Sequence, residues 1–257
     1  LIGVMTFRPP ADPLGDALAK GDYESLEKFG VKAARHAVPA AAARLRALTP
    51  RVLYVEGEPR AEYARLQHEL LKDGTLAVHT MLLSSREPEV YGKSDSLARS
   101  AMMFPLSDVQ LRDYDVIILG EVKATRIASS PEVLAAAMRS FVTRLGGTLV
   151  LIAGDKSSTL DAHHALAELL PIDLRAARTV TEPTRVGDVP EPIRFHLAAP
   201  LRENARALAA ASSGAPVIST RDSGRGRVIF VASDDFGFGW HTKPAGFYPF
   251  YRAMLGE

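Results

Sequence analysis

The chain has no cysteine. Disulfides, thiolate metal sites, iron–sulfur clusters and cysteine nucleophiles are excluded together. Surplus charge is also lacking. Lys and Arg total 31 against 30 Asp and Glu, a formal net charge of +1. A dedicated nucleic-acid binder needs a basic excess to neutralise phosphates, and this chain has none. Aromatic residues are few, with a single tryptophan at Trp240. No apolar run approaches the roughly 20 residues that a membrane-spanning helix requires. The opening run Leu1-Ile2-Gly3-Val4-Met5-Thr6-Phe7 is strand-like and lacks the basic start of a signal peptide. Beginning with Leu inside such a run, the chain reads as an excised piece of something longer, whose membrane anchors or signals would lie outside it.

What is present suits a globular protein. Over 257 residues, 47% hydrophobic content is enough to bury one large core, with room for an appended segment. Residues 1–49 read as that segment: the opening strand, Arg8-Pro9-Pro10, and helical stretches over 12–20 and 22–48 that Pro39 interrupts. They are either part of the domain or the remnant of a preceding one. From residue 51 a regular alternation begins. Strands are expected at 51–55, 76–82, 115–120 and 148–153, with helices at 60–72, 131–145 and 159–169 between and after them. Beyond Pro171 the pattern thins to extended segments over 172–198, a helix near 201–211, strands at 217–219 and 227–232, and a closing helix over 245–255. Alternation of this kind predicts an α/β domain over 50–257, an open parallel sheet with helices on both faces.

The run from Gly146 to Asp155 carries the most information. It reads as a helix stop, a buried strand and a sharp glycine turn at the strand's carboxyl end. In open α/β sheets ligands and chemistry gather at that edge. A nucleophile elbow would carry Cys or Ser where the strand ends, and Ala153 stands there.

Other candidates lie along the same edge. Glu56-Gly57-Glu58-Pro59-Arg60 follows the first strand, and its two carboxylates and guanidinium can bind a polar ligand or pair with one another. The plainer reading is a loop that caps the next helix, with Glu58 near its N-terminus. Asp155-Lys156-Ser157-Ser158 follows the glycine turn, and its serines read more simply as a helix N-cap than as nucleophiles served by His163 or His164. Those two histidines are adjacent, so on a helix they diverge by roughly 100° and form no metal face. With no cysteine and no His-x-x-x-His pair, no metal site is expected. Ser233-Asp234-Asp235 ends the last core strand, with carboxylates that can share a proton, bind a hard cation or cap a turn. The loop through Phe236, Phe238, Trp240 and His241 is either a lid or partner patch, or a plug packed on the sheet edge. Gly224-Arg225-Gly226-Arg227 precedes a strand rather than opening a helix, so it reads as a basic tight turn and not a phosphate loop.

Several of these pieces, in order, resemble class I glutamine amidotransferase-like domains of the type found in bacterial membrane proteins with von Willebrand factor A domains. They are Val52 to Arg60 with Tyr63, Tyr114 to Gly120, Phe141 through Ala153, and Gly224 through Asp235. The resemblance implies a flavodoxin-like fold with an N-terminal helical extension. It places Ala153 at a vacated nucleophile position and Ser233-Asp234-Asp235 where the family keeps its base. Glutaminase chemistry is then not expected, and no cofactor is implied. The expectation that follows is a non-catalytic binding or interaction module of a larger bacterial envelope-associated protein. Its contact edge would hold Glu56, Glu58, Arg60, Asp155, Asp234, Asp235, Trp240 and His241. The partner would be a protein or a small polar ligand, not nucleic acid. The alternatives are a hydrolase or other enzyme with a rebuilt site at that edge, and a purely structural spacer.

Overall fold

Val52 to Glu56, Val116 to Leu119, Leu149 to Ile152 and Val228 to Val231 are each buried without a break. An uninterrupted apolar strand, rather than an alternating one, is what a sheet covered on both faces demands. These runs form the centre of an eight-stranded mixed sheet in a computed structural model that describes residues 50–84, 89–92, 103–154, 166–180 and 182–255. The expected segment over 1–49 lies outside the described residues, as do Asp155, Ser157, Ser158, His163 and His164.

The strands are β1 (Arg51–Glu56), β2 (Ala77–Leu82), β3 (Glu89–Gly92), β4 (Val116–Leu119), β5 (Thr148–Ile152), β6 (Ala205–Ala210), β7 (Pro216–Ser223) and β8 (Gly226–Val231). Their order across the sheet is β3-β2-β1-β4-β5-β8-β7-β6. The central five, β2-β1-β4-β5-β8, run parallel, while β3, β7 and β6 are antiparallel to their neighbours. The α/β class is therefore as expected, but the all-parallel sheet is corrected to a mixed one. Gly224-Arg225 supplies the reason at one margin: it is the two-residue turn of a β7–β8 hairpin, with Ser223 opposite Gly226. Tight hairpins can join only antiparallel strands.

The expected helix near 201–211 is also corrected. Its alanines favour a helix in isolation, yet Ala205–Ala210 is the edge strand β6, paired with β7. Tertiary pairing overrides propensity here. In the 172–198 region the expected extended segments are present as isolated antiparallel bridges, Arg178 to Ala198 and Thr184 to Ile193.

The helices are α1 (Ala61–Lys72), α2 (Asp108–Leu111), α3 (Ala124–Ile127), α4 (Pro131–Ser140), α5 (Phe236–Gly239) and α6 (Phe247–Leu255). Ser130 caps α4 by accepting from the Val133 N–H, and Pro131 occupies the first turn, where its missing N–H costs nothing. A π-helical turn, Phe141–Leu145, continues α4 towards β5. Among the described residues no helix is long and apolar enough to cross a membrane.

The path of the chain fixes where a site belongs. From β1 it moves outward to β2 and β3, then returns to β4 on the other side of β1. The direction of winding reverses between β1 and β4, and the crevice beyond their carboxyl ends is the usual ligand position in such sheets.

Candidate functional site

The last residue of β1 is Glu56, whose carboxylate is fully buried in that crevice. Four residues on, Arg60 sits at the N-cap of α1, and the turn brings its guanidinium back over the end of the strand. Its Nη2 donates to Glu56 Oε2 at 2.6 Å and its Nη1 to Asp234 Oδ2 at 2.5 Å, so one cation joins the ends of β1 and β8. Glu121, buried just beyond β4, lies with its carboxylate 3.9 Å from Arg60 Nε. His196 completes the group through a 2.6 Å contact between its Nε2 and Asp234 Oδ1.

Two glycines make room for this cluster. A side chain at Gly120 would collide with the Glu56 carboxylate, and one at Gly154 would strike the Glu121 carboxylate and Arg60 Nη1. The glycine turn after Ala153 therefore accommodates a buried ion cluster. Ala153 is itself buried, and its N–H extends the β5–β8 ladder to Val231 O at 2.8 Å.

Burial and pairing pull against each other throughout. Burial works against the Arg60 charge, but Glu56, Tyr54 and Asp234 outweigh it and hold the guanidinium more firmly protonated than usual. Burial lifts Glu56 above the ordinary carboxylate value, and the Arg60 charge with the Gly57 and Glu58 N–H groups offsets only part of that. At Asp234 burial acts upward too. There the His196 hydrogen bond and the Arg60 charge prevail, leaving the carboxyl below its ordinary range.

Of the expected edge residues, Glu56, Arg60 and Asp234 converge. Asp235 turns the other way, accepting from the Arg194 N–H at 3.2 Å with the Arg194 guanidinium 3.6 Å off. Glu58 is half-buried beside the cluster, with its N–H 3.5 Å from Glu56 Oε1. Trp240 packs on the core margin against Gly246, which favours a plug over a lid, and His241 is exposed. Asp155 lies outside the described residues. Among those described, no three His, Asp or Glu side chains form a group able to hold a metal ion.

Glu121 and His196 are members that sequence reasoning missed. Glu121 carried the same signal as Glu56, an acid directly after a buried strand and beside a glycine. His196 carried none, standing in an irregular segment 38 residues from Asp234.

What the arrangement can do follows from its pairing, which engages the ends of the Arg60 guanidinium but leaves its buried Nε without a hydrogen bond. Both terminal nitrogens of Arg60 are taken by carboxylates of the same chain. The Ser233 hydroxyl donates to Arg194 O at 2.6 Å and accepts from the Asp235 N–H at 3.0 Å. The edge is tied to itself.

No family model and no curated protein matches the chain. Its fold is similar to that of the exo-beta-1,4-mannosidase Op5Man5 from Opitutaceae bacterium strain TAV5, at 20% identity and a TM-score of 0.50 over 86% of this chain and 39% of that one. The chain thus spans about two-fifths of the mannosidase's length. It is similar as well to the cytoplasmic protein STM1381 from Salmonella typhimurium LT2, at 15% identity and a TM-score of 0.50 over 80% of this chain and all of that one. These findings correct the resemblance to class I glutamine amidotransferase-like domains. No such family matches, and the likeness of fold runs to a glycoside hydrolase chain instead. The flavodoxin-like label, the association with von Willebrand factor A domains and the reading of Ala153 as a vacated nucleophile position go with that resemblance. The plain statement is an α/β fold with a mixed sheet.

Proposed function

We propose that this chain is a non-catalytic α/β module that works by contact within a larger protein. The observation that carries the reading is the pairing along its carboxyl edge: the Arg60 guanidinium, lying over the end of β1, is bound to Glu56 and Asp234 rather than offered to a ligand. A partner protein is then favoured over a small polar ligand.

Thermal-shift measurements on the chain against amino acids, sugars, nucleotides and divalent cations test the closed edge. A ligand that binds only the folded chain adds about 2.7 kcal/mol at a hundredfold excess over its Kd, a shift easily seen. The expected outcome is no shift. A saturable shift that disappears in Arg60→Lys would overturn the reading.

One observation favours a hydrolase as the second reading. A carboxylate bonded to an imidazole, as Asp234 is to His196, is the arrangement that orients a general base. Hydrolysis of activated esters or glycosides that is lost in His196→Gln, with the fold intact, supports that alternative.

A further inference from the structure

We propose that Glu62 is a proton-controlled latch that fastens the carboxyl-terminal segment, residues 236–255, to the first turn of α1. The inference is independent of whether the carboxyl edge meets a partner. Glu62 is buried, and each of its carboxylate oxygens meets a donor from the segment. Tyr251 of α6 donates its hydroxyl to Oε1 at 2.5 Å, and Gly237 of α5 donates its N–H to Oε2 at 2.6 Å. One side chain of α1 therefore holds two separate helices of the segment.

Two further anchors lie along the same face of α1. Arg65 donates to Gly237 O at 2.5 Å, and its guanidinium carbon stands 4.2 Å from the centre of the Phe247 ring. At the far end Asp73 accepts from the Tyr248 hydroxyl at 2.5 Å and from Arg252 Nη1 at 2.7 Å. The two acidic anchors differ in kind. Burial acts upward on Asp73, but hydrogen bonds from Thr75 and Tyr248 and the Arg252 charge hold it down at about 2, so it stays ionised at any ordinary pH. Glu62 has no such cation at contact distance. Burial pushes it up to about 7; its Tyr251 and Gly237 hydrogen bonds oppose the rise, Asp234 adds to it and Arg60 subtracts. The groups facing it are Tyr251 from α6, Asp234 from the turn after β8, Tyr54 from β1 and Arg60 from its own turn.

The direction follows from linkage. The folded value is raised above the ordinary 4.5, so the proton binds more tightly with the segment in place. The fastening is complete below 4.5, weakens as pH rises towards about 7, and changes little above it. Across that window the opening constant of the segment rises about tenfold per pH unit. Ionised Glu62 is better off in water than in its apolar seat beside Asp234, and opening the segment gives it that water.

Hydrogen exchange on the whole chain tests this, with rates corrected for intrinsic pH dependence. Peptides covering 236–255 are expected to lose roughly fortyfold in protection, relative to β5 and β8, between pH 5 and pH 7, and to level off within about a pH unit above that. Glu62→Gln keeps an acceptor oxygen but has no proton to lose, so its profile is expected to be flat. A flat wild-type profile, or equal slopes in wild type and Glu62→Gln, overturns the latch. If Glu62→Gln does not fold, carbon-13 titration of the wild-type carboxyls decides: the assigned Glu62 resonance titrating near neutrality supports the latch, and its titration in the ordinary carboxylate range overturns it.

Discussion

The two edges of the sheet use the same ions in opposite ways. At the carboxyl edge Arg60 is only 12% exposed, and its partner Glu56 is wholly buried. At the amino edge Arg227 is 39% exposed and its partner Asp222 76%. Arg144 and Asp108 make another such pair on the surface beside α4. A surface pair exchanges one hydrated state for another and is worth little. A buried pair has already lost its water, so removing one member strands the other. The comparison teaches that the number of ion pairs at an edge says less about its role than their burial does. The carboxyl cluster is a structural knot, and the Arg227–Asp222 and Arg144–Asp108 pairs belong to a solvated surface.

The strongest way to break that contrast is Arg60→Met. It leaves Glu56 and Asp234 without their cation in a buried crevice, and the expected loss is about 3–5 kcal/mol by urea unfolding. Neutralising the group together, with Arg60→Met, Glu56→Gln, Glu121→Gln and Asp234→Asn, is expected to recover most of that loss. No recovery would mean the cluster stabilises by charge rather than by avoiding a stranded charge. Next in size is Gly120→Ala, where the added methyl meets the Glu56 carboxylate. Overpacking of this kind costs about 1–3 kcal/mol. An unchanged midpoint would show that Glu56 can swing aside, and the knot would be looser than its geometry says.

A pH series sharpens the comparison without overpacking. Asp234 is held below its ordinary value of 3.8, so its contribution is present above that value and is lost as pH falls through its depressed folded value. The stability gap between wild type and Asp234→Asn is expected to close on acidification below the ordinary carboxylate value. Glu56 acts in the opposite sense, since its folded value is raised: what it contributes is present below 4.5 and declines as pH rises from there. The two effects separate because they lie on different sides of the ordinary carboxylate range.

Much of this was legible in the chain, for reasons that can be named. The central strands β1, β4, β5 and β8 were readable because burial on both faces leaves no polar alternation to confuse them. The edge strand β6 was not, since its alanines carry helix propensity and its pairing partner lies beyond a turn. Within the site, Glu56 and Arg60 could be joined in advance because only a short loop separates the end of β1 from the N-cap of α1. Asp234 and Asp235 could not be told apart, because neighbouring carboxylates at a strand end point to different neighbours, here Arg60 and Arg194. The glycine turn was read as a place for chemistry. Its physical requirement is space for Glu121 and Arg60, which no local pattern encodes.

The smallest expected effect completes the contrast from the other side. Arg227 opposes Asp222 across the β7–β8 hairpin, with Nε 3.0 Å from Oδ1. Cross-strand opposite charges contribute roughly 0.2–1 kcal/mol, and exposed pairs fall towards the lower end. Arg227→Ala is therefore expected to cost less than about 1 kcal/mol, with the difference shrinking in 1 M salt as screening shortens to about 3 Å. The Arg60 variants, sheltered from solvent, are expected to keep their full deficit at the same salt. Equal salt sensitivity at the two edges would show that water reaches the carboxyl cluster, and the edge would then be open to ligands after all.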